Sequence, residues 1–215
     1  MGTLDLRLVL NGQSAGLTRE TYAAGETISQ QGDPAPTLHY IEHGLVAVSI
    51  ILQAGKETIA GVCRPGDFLA LRALLGGGPR RTSSVTLTEC TILQIEKSLA
   101  NRLLRERPEF AGLWTDFLLR QHLRDLKRIV IQSYPAKERL RQTLLEISSL
   151  NDSDNSEPIK ITQTTLANLV GTTRPRVSFF MRSFRRQGLI EYDRAGTLIV
   201  RKTLGRALQR RGQAI

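Results

Sequence analysis

Aromatic side chains make up only 5% of this 215-residue chain, which holds two cysteines, two methionines and one tryptophan. The two cysteines, Cys63 and Cys90, stand far apart and have no neighbours at metal-ligand spacing. That excludes a disulfide framework and gives no support to a zinc or iron–sulfur knot; two reduced, buried thiols are the plain reading. Long apolar runs are lacking too. The longest, Leu45 to Leu52, is interrupted by Ser49, far short of the ~18 residues a membrane-spanning helix needs. Leu4 to Leu10 carries Asp5 and Arg7 inside its apolar stretch, and no small-residue cleavage site follows it. A cytoplasmic protein without a membrane partner is therefore expected.

Acidic residues are scarce in one place. Residues 1–158 contain 18 Lys+Arg and 18 Asp+Glu, whereas residues 159–215 contain 12 Lys+Arg and only Glu191 and Asp193 as acids. The whole formal excess of +10 thus lies in the last quarter of the chain. A segregated cationic module attracts a polyanion, and nucleic acid is the commonest cytosolic one. With 40% hydrophobic residues, the length allows one large domain or two small ones with proper cores, which excludes disorder and collagen.

From Gly25 to about Glu96 the pattern is glycine-punctuated, with Gly25, Gly32, Gly44, Gly55 and Gly66 separating stretches of strand length. Val46 to Ile51, Thr58 to Val62, Ser84 to Leu87 and Thr91 to Ile95 are rich in β-branched residues. A compact antiparallel barrel or jelly roll is predicted there. After Pro108 the texture changes. Glu109 to Ser133 lacks proline, and Leu119, Leu123, Leu126 and Val130 recur at steps of four, three and four, the seam of a coiled coil. This long helix offers a stripe to a second copy, an intramolecular stripe being the alternative. Proline at Tyr134-Pro135 breaks it, Arg139 to Ser148 forms another helix, and the turn-rich run Ser148 to Pro158 reads as a loop.

The most informative segment follows. Thr162 can cap a short helix through Val170, Gly171 lets the chain turn, and Thr173 can cap the next helix. Pro175 then sits in a first turn, where its missing N–H costs nothing. Val177, Phe180, Met181 and Phe184 fall on one stripe of this helix, while Pro175, Phe179, Arg182 and Arg186 gather opposite, with Ser178 alongside. Gly188 ends the helix. Leu189 to Tyr192 and Thr197 to Arg201, joined through Asp193-Arg194-Ala195-Gly196, form a hairpin. Helix, tight turn, basic helix and hairpin make a winged helix–turn–helix, which lays its second helix in the major groove of DNA.

These residues resemble the Crp/Fnr family of bacterial transcription factors (cyclic-AMP receptor protein and fumarate–nitrate regulator) from about Ala24 to Val200. The marks are Gly25-Glu26-Thr27-Ile28, Gln31-Gly32-Asp33, Tyr40-Ile41 with Gly44, Gly55-Lys56-Glu57, Pro65-Gly66-Asp67-Phe68, and the helix–turn–helix Ile161 to Ile190. The resemblance implies an α+β chain in three parts: residues 1–107 a cyclic-nucleotide-binding-like β jelly roll, 108–134 a dimerisation helix, and 135–215 a winged helix–turn–helix. It further implies a homodimer on a two-fold symmetric duplex operator, with RNA polymerase as a further partner. DNA contacts are expected from Thr162, Thr172, Thr173, Arg174, Arg176, Ser178, Phe179 and Arg182. The two best-known members have Glu at Pro175 and Arg at Phe179, so their operator sequences do not carry over.

Members that bind cyclic AMP hold its phosphate with an Arg-Ser pair, its ribose with a Glu shortly after Gly-Asp-Phe, and its base with Thr and Ser on the long helix. Here Arg81-Thr82 stands at the phosphate position, Leu71 at the Glu and Ala70 at the neighbouring Gly. No hydroxyl occurs between Thr115 and Ser133; Arg124, Asp125 and Leu126 occupy the base-contacting stretch. The resemblance therefore implies an effector site at Arg72, Arg81, Thr82 and Arg124, with Arg80 beside it, for a small molecule of unknown identity. Cyclic AMP is expected to be a poor effector. The cysteine cluster of the oxygen-sensing branch is missing, and His39, His43 and His122 have no support as haem ligands, so no cofactor is expected.

Two other readings compete. A cupin-like metal enzyme would use His39, Glu42 and His43, but it expects a third histidine from a later strand, and the barrel has none after His43. A cyclic-nucleotide or small-anion sensor without DNA function conflicts with the charge of the last 57 residues. The expectation is a non-enzymatic DNA-binding regulator.

Overall fold

The computed structural model describes residues 6, 10, 15–53, 55, 57–71, 74, 78–150, 161–192 and 198–200. They fall into two compact units, one of residues 1–56 and 60–128, the other of residues 57–59 and 129–215. Arg72, the hairpin link 193–196 and the predicted loop from Asn151 to Pro158 lie outside the described residues.

The first unit is built on eight strands: β1 (Leu17–Tyr22), β2 (Thr27–Ser29), β3 (Thr37–His43), β4 (Val46–Ile51), β5 (Glu57–Cys63), β6 (Phe68–Leu69), β7 (Ser83–Thr86) and β8 (Cys90–Glu96). They form two four-stranded sheets, ordered β1-β8-β3-β6 and β2-β7-β4-β5. The ladders of β1 and β3 on β8 and of β2 and β4 on β7 are antiparallel, as a jelly roll requires. Between the sheets Ile41, Val46, Leu69, Cys90 and Ile92 form a buried cluster. Gly44 shows why a glycine must stand at the β3–β4 turn. Its φ is +88, and a Cβ there would lie 2.2 Å from the Glu89 carbonyl oxygen.

Among the described residues the unit also carries α1 (Lys97–Glu106) and most of α2 (Pro108–Gln132), through Arg128. Leu99, Ala100 and Leu103 of α1 and Phe110, Leu113 and Phe117 of α2 are buried in a second cluster with Leu38, Phe68, Leu93 and Ile95. Phe68 is its centre, with ring centroids 5.1 Å from Trp114 and 5.3 Å from Phe117. Strand β1 and helix α1 lie outside the predicted elements. The exposed middle of β1 (Thr18 to Thr21) hides its strand signal, and α1 has only three inward residues to betray it. Leu6 and Leu10 of the amino-terminal segment also belong to this core.

The second unit contains α3 (Ala136–Leu150), α4 (Gln163–Val170), α5 (Arg174–Arg186), β9 (Ile190–Tyr192) and β10 (Leu198–Val200). The helix predicted over Arg139 to Ser148 starts three residues earlier, directly after Pro135, and runs through Leu150. Ser149 and Leu150, expected as loop, are therefore helical. Leu140, Leu144 and Ile147 of α3 are buried, as are Leu166, Ala167 and Val170 of α4 and Val177, Met181 and Phe184 of α5. Strands β9 and β10 pair antiparallel, Tyr192 opposite Leu198.

His39 of β3 carries a pH dependence. The ring is 2% exposed, and its Nε2 lies 2.9 Å from Thr37 Oγ1 and 3.4 Å from Arg80 Nη2. A guanidinium can only donate, so Nε2 accepts and Nδ1 carries the proton. Burial, then the Arg80 charge, lowers the pKa from 6.5 to about 4. Above the unfolded value the ring is neutral in both states. As pH falls from there toward the folded value, the unfolded chain takes up a proton that the folded chain refuses, so stability is lost. At about pH 5 the loss should be about 2 kcal/mol relative to neutral pH. Urea midpoints of the wild type and His39→Gln should show this slope in the first and a flatter one in the second.

Candidate functional site

Helix α4 opens at Thr162, whose extended backbone and hydroxyl form a true cap: Oγ1 accepts the Thr165 N–H at 3.0 Å. It closes at Gly171, with φ 67 and ψ 47. The Gly171 and Thr172 amides both return to the Ala167 carbonyl, which satisfies an orphan acceptor and sets the angle into α5. Thr173 occupies the cap position of α5 with an extended backbone, but its side chain makes no capping bond. The expected cap is thus present in backbone only.

Helix α5 contains five arginines and no acid. Arg174, Pro175, Arg176, Phe179 and Arg182 are exposed and Ser178 half-buried. Arg174, Arg176 and Arg182 make no ion pair among the described residues. Phe179 is 61% exposed, and among the described residues its ring contact is an edge approach to Phe180 at 5.8 Å. With Arg182, Arg185 and Arg186 it borders an open hollow. Phe180, expected in the buried stripe, is only half-buried.

Sequence reasoning missed Arg139. Its Nε donates to the Val170 carbonyl at 2.9 Å, Nη2 to Gly171 at 3.2 Å and Nη1 to Tyr134 at 2.9 Å. One guanidinium so covers the carboxyl end of α4 and ties the turn to the start of α3. A cation in the first turn of a helix opposes the helix dipole, and that misfit was the available signal.

In the first unit, a cavity of about 410 Å³ opens within the β-roll. Arg80, Arg81 and Thr82 line it, together with Leu71 and Ala70. Arg80 is tied to the Pro34 carbonyl and His39, whereas Arg81 has no partner among the described residues. Arg124 departs from the expectation. It does not line the cavity, because its Nη2 donates to Asp67 Oδ1 and Gln121 Oε1, each at 2.8 Å. Gln121, Asp125 and Arg128 supply the α2 wall instead. Ala70 has φ +62, a left-handed conformation that costs a non-glycine residue ~1–2 kcal/mol. Cys63 also lines the cavity, and burial pushes its thiol up to about 12, which leaves it protonated and unreactive. The histidine-based alternative finds other uses for its ligands. His39 bonds Thr37 and Arg80, and Glu42 takes Arg19 through Nε at 2.6 Å.

Along α2, the side opposite the buried Phe110, Leu113 and Phe117 carries Leu119, Leu123, Leu126 and Val130, 46–65% exposed. Ile129, at 68%, widens this apolar face beyond the predicted seam. Among the described residues, no helix is long and apolar enough to cross a membrane.

Residues 19–107 match the cyclic nucleotide-binding domain family, and residues 138–207 match the Crp-like helix-turn-helix domain. The cAMP-activated global transcriptional regulator CRP of Escherichia coli O157:H7 is 29% identical over 181 residues, 79% of this chain and 83% of that protein. A CRP-like cAMP-activated global transcriptional regulator of Mycobacterium tuberculosis is 24% identical over 196 residues, 86% and 87% of the two chains. A CRP-family transcriptional regulator from Thermus thermophilus shares the fold with a TM-score of 0.74 at 24% identity, over 87% of this chain and 95% of its own. A β-roll of cyclic-nucleotide-binding type joined to an arginine-rich helix–turn–helix defines a DNA-binding transcription regulator, not an enzyme. Within that class, the chain belongs to the Crp/Fnr family.

The Arg139 clamp yields a test. Hydrogen bonds from a charged donor are worth ~1.5–3 kcal/mol, and here only the bond to Val170 is part-buried while those to Tyr134 and Gly171 are exposed, so Arg139→Ala should lower the unfolding free energy by about 1–2 kcal/mol and weaken DNA binding. Arg139→Lys, lacking the fork, should restore only part of it. Urea unfolding followed by circular dichroism measures both variants.

Proposed function

We propose that the protein is a cytoplasmic homodimer that reads a two-fold symmetric duplex operator and adjusts its binding to a small effector held in the β-roll. The observation that carries this reading is α2. Its inner side is buried, yet between Leu118 and Val130 it presents six apolar side chains that are 43–68% exposed. Such a stripe at coiled-coil spacing is costly in water and is covered by the same stripe of a second copy. Leu119, Leu123, Leu126 and Val130 are the assigned seam. The division at residues 107/108 and 134/135 into effector domain, dimerisation helix and DNA-binding domain belongs to the same reading.

On DNA, Arg174 and Arg176 approach base edges or flanking phosphates from the first turn of α5. Thr162, Thr172, Thr173 and Arg182 serve the backbone, and Ser178 either. Phe179 takes the methyl group of a thymine. The exposure of Phe179 on a solvated cationic helix supports this role. Arg81 and Thr82 are the anion-binding part of the effector site; Arg72 is assigned there by resemblance alone. Arg124, committed to Asp67, acts as a fastener for α2. Cyclic AMP fits this cavity poorly, because Leu71 cannot accept a ribose hydroxyl. The relatives' description as activated transcriptional regulators supports RNA polymerase as a further partner.

Two experiments test the proposal. Leu123→Asp with Leu126→Asp places four carboxylates in the shared seam, and sedimentation should then show a monomer where the wild type is a dimer. Half-sites selected from random duplex should lie about 34 Å apart or a multiple of it. Second, Arg176→Ala should cost ~1–3 kcal/mol on the cognate duplex and little on a scrambled one, whereas Arg182→Ala should weaken both alike and flatten the salt dependence. Equal loss on both duplexes for Arg176→Ala demotes it to a phosphate anchor.

A further inference from the structure

The β-roll cavity contains two polar side chains that neither the fold nor the family pattern accounts for. Ser29 of β2 and Ser84 of β7 are direct cross-strand partners in the ladder. Paired residues share a face of the sheet, and both line the cavity. They are 8% and 3% exposed, and neither hydroxyl has a hydrogen-bond partner among the described residues. Thr86, the next residue of β7 on that face, is used differently: its hydroxyl donates to the Ala23 carbonyl at 2.6 Å. Thr82, two residues before Ser84, lines the same cavity with its hydroxyl likewise unpartnered among the described residues. Thr82, Ser84 and Ser29, whose hydroxyls no described residue bonds, thus line the cavity together with the cation Arg81.

Two hydroxyls that no described protein group bonds, side by side in a ligand-sized and mostly apolar cavity, are the convergent polar pair on which a ligand's own polar group is held. The other walls limit what that ligand is. Val48, Ala60, Phe68, Leu69, Leu71 and Phe117 make most of the lining apolar. On the α2 side, the Asp125 carboxylate already accepts Gln121 Nε2 at 3.1 Å and lies 3.5 Å from Arg128 Nη1. That wall is internally neutralised, and a second ligand anion there would face a carboxylate. The Arg128 guanidinium lies against Gly61, where a Cβ would come within 2.2 Å of it.

We propose that Ser29 and Ser84 form a hydrogen-bonding subsite for the uncharged hydroxyl of a small monoanionic acid with an apolar body, whose charge rests on Arg81 and Thr82. The inference rests on the reading of the β-roll as the effector unit. It makes the cavity selective for hydroxylated apolar acids over both nucleotides and unsubstituted acids. A site built to bond a hydroxyl rejects the analogue that lacks it, because its own groups are left unpaired.

Calorimetry on the full chain, with 4-hydroxybenzoate and benzoate as probes, tests this. 4-Hydroxybenzoate should bind saturably and about tenfold more tightly than benzoate. Replacing both serines (Ser29→Ala with Ser84→Ala) should abolish that preference, 4-hydroxybenzoate losing affinity while benzoate holds or gains it, and retained benzoate binding also shows that the cavity is still folded. Arg81→Gln should weaken both acids. Lack of saturable binding of 4-hydroxybenzoate up to about 10 mM, or a preference that survives loss of both serines, overturns the proposal. Binding of random duplex by the same preparation is measured in parallel. Duplex binding without acid binding sinks the subsite alone, and acid binding without duplex binding sinks the regulator reading instead.

Discussion

Helix α2 is held against the β-roll by an ion pair that neither partner can leave. Asp67, at the turn before β6, is 2% exposed; its Oδ1 accepts Arg124 of α2 and its Oδ2 accepts the Arg64 amide at 3.1 Å. The Asp67 carbonyl in turn accepts the Ile41 amide, so the carboxylate is fixed to the sheet. Breaking such a pair strands a buried charge and costs ~3–5 kcal/mol. The pair therefore sets which side of α2 faces the Phe68 cluster and which side is left in water. That outward side is the one that carries Leu119, Leu123 and Leu126.

The same constraint shapes the cavity. Once Arg124 is committed to Asp67 and Gln121, with its Nη1 buried and unbonded among the described residues, Gln121, Asp125 and Arg128 supply the α2 wall. The sheet side supplies a cation and hydroxyls, at Arg81, Thr82, Ser84 and Ser29. The position of Leu71 removes an acceptor from the mouth, and Ala70 keeps a left-handed backbone although it has a side chain.

In the second unit the organising contact is also a guanidinium. Arg139 binds the carbonyls at the end of α4 and so orients the turn that launches α5. Arg174, Arg176 and Arg182 of α5 remain free to face a polyanion because the buried contacts of this helix are made by Val177, Met181 and Phe184, while Arg185 lies over the Tyr192 ring. Structural and functional charges are thus divided between helices. The arginine with a fixed task sits on α3.

Much of this is legible in the chain itself. The jelly roll, the long helix, the turn at Gly171 and the cationic face of α5 follow from glycine spacing, periodicity, capping residues and charge segregation, all of which act locally. Thr162 announces its cap for the same reason. By contrast, β1 and α1 are hidden because a polar edge strand and a three-residue apolar stripe carry little local signal. Position along the helix puts Arg124 in the effector site, and only the fold brings Asp67, 57 residues away, close enough to take it. Arg139 and the Ser29–Ser84 pair are likewise invisible, since their partners lie 31 and 55 positions distant. The sequence by itself determined the elements and where the charge resides, because those depend on neighbours within a few residues. Only the tertiary structure decided which polar groups are spent on the fold and which remain for a ligand, because that depends on contacts between residues remote in the chain.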